Sequence, residues 1–207
     1  MKIDLHVHTT RYSACSIASP EQMIESAIRN GIDGLVFTEH NKMWKEEEIN
    51  EIRMRYPSVK LFRGIEYTVK WDEGGRDSED ILIYGVTDEI DEILKLKDFY
   101  EIYNEVNKMG GTCIIAHPFR YHDKVPKAIL DGFIDGIEAY SSNISEDMRI
   151  KAMNLSSKNN KIITAATDGH SIDKIGSYAC DFYEDIQEEK QLARELKLGK
   201  YKLYIKK

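Results

Sequence analysis

Six short apolar runs in this chain end in, or lead into, a histidine or a carboxylate, and that recurrence narrows the folds open to it. Residues 2–5 lead to His6 and His8. Residues 35–37 lead to Glu39 and His40, and 61–65 to Glu66. Residues 114–116 precede His117, the run 134–139 carries Glu138, and 162–166 precede Asp168 and His170. Short apolar runs bounded by turn residues read as strands. Residues two apart share one side of an extended chain, so His6 and His8 can point at one spot beyond the first strand. Neutral imidazole is a common ligand of transition metals. Each site has a plainer reading. His6 could be a core histidine and His8 or His40 a loop residue. Glu66 could pair with Arg63, and His117 could merely precede a turn at Pro118. Asp168-Gly169 is a natural tight turn. Independent coincidence at all six strand ends is harder to credit than one shared site.

Helical segments separate the runs. Ser19 is a plausible N-cap, Pro20 suits the first helical position and Gln22 closes a capping box. Met23, Ile24, Ala27 and Ile28 form that helix's buried stripe, and Gly31 ends it. Further helices are expected at 45–56, 88–109, 145–158 and 186–198. The longest carries Ile90, Ile93, Leu94, Ile102, Val106 and Met109 at helical spacing. Strands are expected at 34–37, 59–65, 81–86, 112–116, 134–139 and 161–166. A polar, hairpin-like stretch with Gly74-Gly75 precedes the 81–86 strand. Alternating strands and helices predict parallel strands and an α/β fold. An open sheet would gather its polar residues at one switch point. Delivery of a metal-competent side chain by nearly every strand end instead predicts a barrel with its site on one rim.

Composition excludes several classes. Apolar residues make up 42% of the 207, enough for a real core, and 31% are charged. No run approaches the roughly 18 apolar residues of a membrane span. The N-terminus has no cationic-then-apolar signal segment, so a cytoplasmic protein is expected. The net charge of −7 disfavours non-specific nucleic-acid binding. Cys15, Cys113 and Cys180 are odd in number and far apart, which argues against a disulfide framework. Cys113 and Cys180 lie in apolar runs and read as packing residues.

The pieces Asp4-Leu5-His6-Val7-His8-Thr9, Thr38-Glu39-His40, Gly64-Ile65-Glu66, Ala116-His117-Pro118 and Thr167-Asp168-Gly169-His170 occur in an order that resembles the PHP (polymerase and histidinol phosphatase) family of metal-dependent phosphoesterases. The resemblance implies a single distorted (β/α)7 barrel over residues 1–207, with a metal cleft at the C-terminal ends of the strands. It implies two or three divalent ions of Zn, Mn or Fe. His6, His8, Glu66 and Asp168 would hold one, and Glu66 would bridge to a second shared with His117. His40 and His170 would hold a third. Two positions depart from the family pattern. After His8 the family commonly places Asp or His; here Cys15 or Ser13 must serve, or nothing does. Before the fourth strand the family has a histidine, and Asp80 is the stand-in.

The implied reaction is hydrolysis of a small phosphorylated substrate, a phosphomonoester by preference, through a hydroxide shared by two metals. Glu66 and His170 are the candidate catalytic residues. Arg11, Lys42 and Arg120 follow ligand-bearing strands and are candidate phosphate contacts. His122 is a candidate to protonate the leaving group. Two other readings stay open: a metal-binding regulatory or structural domain with little catalysis, and a nuclease-like phosphodiesterase. Substrate identity and oligomeric state are left open.

Overall fold

The computed structural model describes residues 1–72, 74–75 and 77–206. The strands are β1 (Lys2–Val7), β2 (Gly34–His40), β3 (Lys60–Lys70), β4 (Ser78–Tyr84), β5 (Thr112–Ile115), β6 (Gly136–Tyr140), β7 (Ile162–Ala165), β8 (Tyr178–Phe182) and β9 (Tyr201–Ile205). They form one sheet in the order β7-β6-β5-β4-β3-β2-β1-β8-β9. The helices are α1 (Pro20–Arg29), α2 (Glu46–Arg55), α3 (Ile90–Ile93), α4 (Phe99–Lys108), α5 (Lys127–Leu130), α6 (Glu146–Asn159) and α7 (Glu189–Lys197).

The sheet curls until its β7 edge returns to β1. Val7 bridges to Gly169, His8 N donates to Gly169 O at 3.0 Å, and Gly169 N donates to His6 O at 3.1 Å. Asp4 fastens the same seam, accepting from Thr167 N at 2.9 Å and Thr167 Oγ1 at 2.6 Å. Burial pushes the Asp4 carboxyl up to about 7 despite those bonds. The result is a nearly closed α/β barrel.

Alternation along the strands fills this barrel. Ile3, Leu5, Val36, Phe62, Leu82, Tyr84 and Ile114 meet in one buried cluster, closed at the base by Leu192, Ala193 and Leu196 of α7. Each such side chain contributes roughly 1.5–3 kcal/mol by leaving water. Continuing the same parity toward the rim gives Thr38 and His40 on β2, Gly64 and Glu66 on β3, and Glu138 on β6. The interior is thus apolar at the bottom and carries ligand-type side chains at the top. Outside, α1 and α2 pack Met23, Ile24 and Ile49 against Leu35 and Phe37, while Ile102 and Val106 of α4 pack against Ile83 and Cys113.

The expectation of parallel strands fails at β4. It runs antiparallel to both β3 and β5. The link from Lys70 to Ser78 is too short for a crossover, which takes a dozen or more residues, so the strand returns as a hairpin. Its N-terminal end therefore joins the rim formed by its neighbours' C-terminal ends. The expected helix over 88–109 is also divided. Lys97 takes φ 63°, and Asp98 starts α4 afresh by accepting from Tyr100 N at 2.8 Å and Glu101 N at 3.2 Å. Strands β8 and β9 were not expected. Helix α1 starts as expected, with Ser19 and Gln22 completing the capping box.

Candidate metal centre

His6 and His8 leave the end of β1 with their orientation set by partners far away in sequence. His6 Nδ1 lies 2.9 Å from Glu138 Oε1, and Glu138 Oε2 accepts from His117 N at 3.0 Å. His8 Nδ1 lies 3.2 Å from Ser13 Oγ. With both Nδ1 atoms so engaged, the Nε2 atoms face each other 2.9 Å apart. Each stands 3.3–3.4 Å from Asp168 Oδ1 and from a Glu66 oxygen. His117 Nε2 reaches Glu66 Oε1 at 2.9 Å, and His40 Nδ1 stands 2.8 Å from Glu66 Oε2. His170 covers the other side, its ring stacked on His8 at 4.4 Å. His6, His8, Glu66, His117 and Asp168 are all buried.

Glu66 Oε2 and Asp168 Oδ1 are sealed from solvent without a hydrogen bond of acceptable geometry, although ring nitrogens surround them. Buried carboxylate oxygens without partners are costly. A cation among these lone pairs would satisfy all of them. Three sets of ligand atoms lie within 4.8 Å of one another: His6, His8 and Asp168; His6, Glu66 and His117; His8, His40 and His170. Imidazole and carboxylate without thiolate suit Zn, Mn or Fe, so the residues present fit divalent ions.

The electrostatics agree. Burial opposes charge on His6, but Glu138, Asp168 and Glu66 outweigh it and raise that imidazole well above its ordinary pKa. His8 and His117 are raised by the same contest between burial and the Glu66 and Asp168 carboxylates. Burial likewise works against Glu66, yet His6, His117 and His40 hold it well below the usual carboxylate range. Asp168 is lowered for the same reason. The surrounding carboxylates thus favour positive charge among these rings.

The other candidates separate. Arg120 donates from Nη1 to Asp168 Oδ2 at 2.9 Å and lines a cleft of about 250 Å³ with His40, Asp80, His117 and His122. Arg11 instead pairs with Glu48 over a different hollow, beside Thr10 and Arg55. Lys42 lines a third, with Arg63 and Asp88. Asp80 reaches the cleft wall because β4 is reversed, and it accepts at 2.8 Å from the Oγ1 of Thr68, two residues beyond Glu66 on β3. Asp80 lies outside all three ligand sets. Cys15 is exposed and also outside them, because Ser13 takes the inward position on that turn. Glu39 and Glu138 lie outside the three sets, Glu138 against His6 and Glu39 against Ser13. Asn143 was not singled out from the sequence. Its Nδ2 donates to Asp168 Oδ2 at 2.6 Å, and its place just past the end of β6 was the available signal. Arg63 turns outward to Asp88 and Glu46, so it does not pair with Glu66.

A model of the PHP domain matches residues 4–201. The chain belongs to the PHP domain family. Solved structures repeat the fold. A candidate metal-dependent phosphoesterase from Bifidobacterium adolescentis is 15% identical, with a TM-score of 0.64 and 94% of each chain covered. A two-domain protein from Bacteroides vulgatus, containing a predicted PHP-like metal-dependent phosphoesterase, is 16% identical with a TM-score of 0.70; the match covers 99% of this chain and 64% of that one. An amidohydrolase from Chromobacterium violaceum, with bound sulfate and no metal, is 17% identical with a TM-score of 0.65, covering 90% and 92%. A search of curated proteins returns no match. At these identities the structural likeness speaks for the fold alone. Among the described residues, no helix is long and apolar enough to cross a membrane.

Proposed function

We propose that this PHP domain is a metal-dependent phosphoesterase acting on a small phosphorylated molecule, with a phosphomonoester as the preferred substrate. The observation that carries the reading is the pair of facing Nε2 atoms of His6 and His8, 2.9 Å apart, beside buried oxygens of Glu66 and Asp168 that lack a hydrogen bond of acceptable geometry. His6, His8, Glu66, His117 and Asp168 would hold two divalent ions, and His40 and His170 reach the same floor. When bound, such ions supply a nucleophilic water at neutral pH and offset charge on phosphoryl oxygens.

The chain's own groups supply the rest. Glu138 holds His6 and the His117 backbone in place, and Asn143 holds Asp168. Arg120 lines the cleft above the cluster, where a guanidinium binds a phosphoryl group through paired N–H donors. Its present bond to Asp168 positions it at the floor of that cleft. Arg11 and Lys42 take no part in this reading.

The test is hydrolysis of p-nitrophenyl phosphate and bis(p-nitrophenyl) phosphate by protein loaded in turn with Zn, Mn and Fe(II), with chelator controls. Metal-dependent turnover of the monoester above that of the diester is expected. Faster diester cleavage would favour a nuclease-like phosphodiesterase. Metal binding without turnover of either ester would favour a regulatory domain.

A further inference from the structure

Behind His8 stands a buried chain of hydrogen bonds that ends on Glu39. Glu39 is fully buried and accepts from four donors: Thr9 N at 3.0 Å, Trp44 Nε1 at 3.0 Å, Thr9 Oγ1 at 2.5 Å and Ser13 Oγ at 2.5 Å. A carboxylate offers about four lone-pair positions, and these donors use them. The backbone and indole N–H groups can only donate, so Glu39 is an acceptor here. The single hydroxyl proton of Ser13 is therefore committed to Glu39. That leaves the lone pairs of Ser13 Oγ to accept from His40 N at 3.3 Å and from His8 Nδ1 at 3.2 Å. With Glu39 as a carboxylate, every capacity of the hydroxyl is used and His8 Nδ1 is left to donate.

We propose that Glu39, acting through Ser13, is the positioning residue that keeps a proton on His8 Nδ1 and so turns the Nε2 lone pair toward Glu66 and Asp168. This rests on the metal-centre reading above. The relay also accounts for a hydroxyl at this turn. Ser13 is a shared anchor, since the backbone of the neighbouring ligand His40 hangs on the same oxygen. A hydrogen-bonded partner on the far nitrogen of a ligating histidine both fixes its tautomer and raises its basicity.

The test uses zinc alone as the probe, with histidine ¹⁵N NMR and calorimetric zinc titration on the whole protein. The wild type should show His8 as a single Nδ1–H tautomer in the zinc-loaded state. Ser13→Ala should broaden or lose that Nδ1–H signal and weaken zinc binding roughly 10–100-fold. Ser13→Thr, which keeps the hydroxyl, should restore both. Glu39→Gln is the second variant and should weaken zinc in the same way, with the Ser13→Ala result standing if it fails to fold. Ser13→Ala binding zinc like the wild type with the His8 signal intact would overturn the relay. So would a Ser13→Thr protein as weak as Ser13→Ala. A wild type that binds no zinc would overturn the metal centre instead. In that case the exchange rate of the His8 Nδ1 proton, slow in the wild type and fast in Ser13→Ala, still tests whether Ser13 accepts it.

Discussion

Glu66 presents its two oxygens to four imidazoles: His6 and His8 at the end of β1, His40 of β2 and His117 just past β5. Glu66→Gln should lower turnover more than tenfold at saturating metal while far-ultraviolet circular dichroism stays unchanged. An amide keeps the shape but lacks the charge with which a carboxylate binds Zn, Mn or Fe. A variant retaining most of its activity would show that Glu66 is not shared between ions. His122 makes a second prediction. Its ring lines the cleft and its Nδ1 is buried with no hydrogen-bond partner. If it donates a proton to the departing oxygen, His122→Asn should slow hydrolysis of an alkyl phosphate by roughly 10²-fold or more. p-Nitrophenyl phosphate, whose leaving group needs no acid, should be much less affected. Equal losses on both substrates would remove that role. The histidines and acids that meet here are legible in the sequence because each follows an apolar run. Their supports are not. Ser13, Glu39, Glu138 and Asn143 act through contacts 5 to 132 residues away in the chain, which no local pattern encodes.

At the scale of elements, the barrel's parity does more than any single ligand. Gly64 sits on β3 two residues below Glu66, facing inward. A Cβ there would stand 2.9 Å from Val36 Cγ1, 3.0 Å from Thr38 Cγ2 and 3.2 Å from Tyr84 Cδ1. Gly64→Ala should therefore cost about 1–3 kcal/mol by overpacking, seen as a Tm lower by roughly 2–4 °C per kcal/mol. An unchanged Tm would mean that the β2–β3–β4 wall yields more readily than close packing implies. Most elements follow from the sequence, as the Ser19–Gln22 capping box shows. The misses have physical causes. Asp98 is itself an N-cap, and its bonds to Tyr100 N and Glu101 N outweigh the helical spacing that spans it. Gly74-Gly75 marks a hairpin, and β4 is antiparallel as a hairpin requires, against the parallel order that strand–helix alternation predicts. That reversal is what brings Asp80 to the rim.

For the whole molecule, closure of the sheet decides whether there is a site at all. Asp168 and His170 belong to the last quarter of the chain. They meet His6 and His8 only because Gly169 bridges to Val7 and Thr167 binds Asp4. The proposal that this floor holds metal through His6, His8, Glu66, His117 and Asp168 can be checked with crystals of manganese-loaded protein and an anomalous difference map recorded above the manganese absorption edge. One peak is expected among His6, His8 and Asp168 and a second bounded by Glu66 and His117. A map with no peak at either position, from crystals whose manganese content is confirmed, would contradict it.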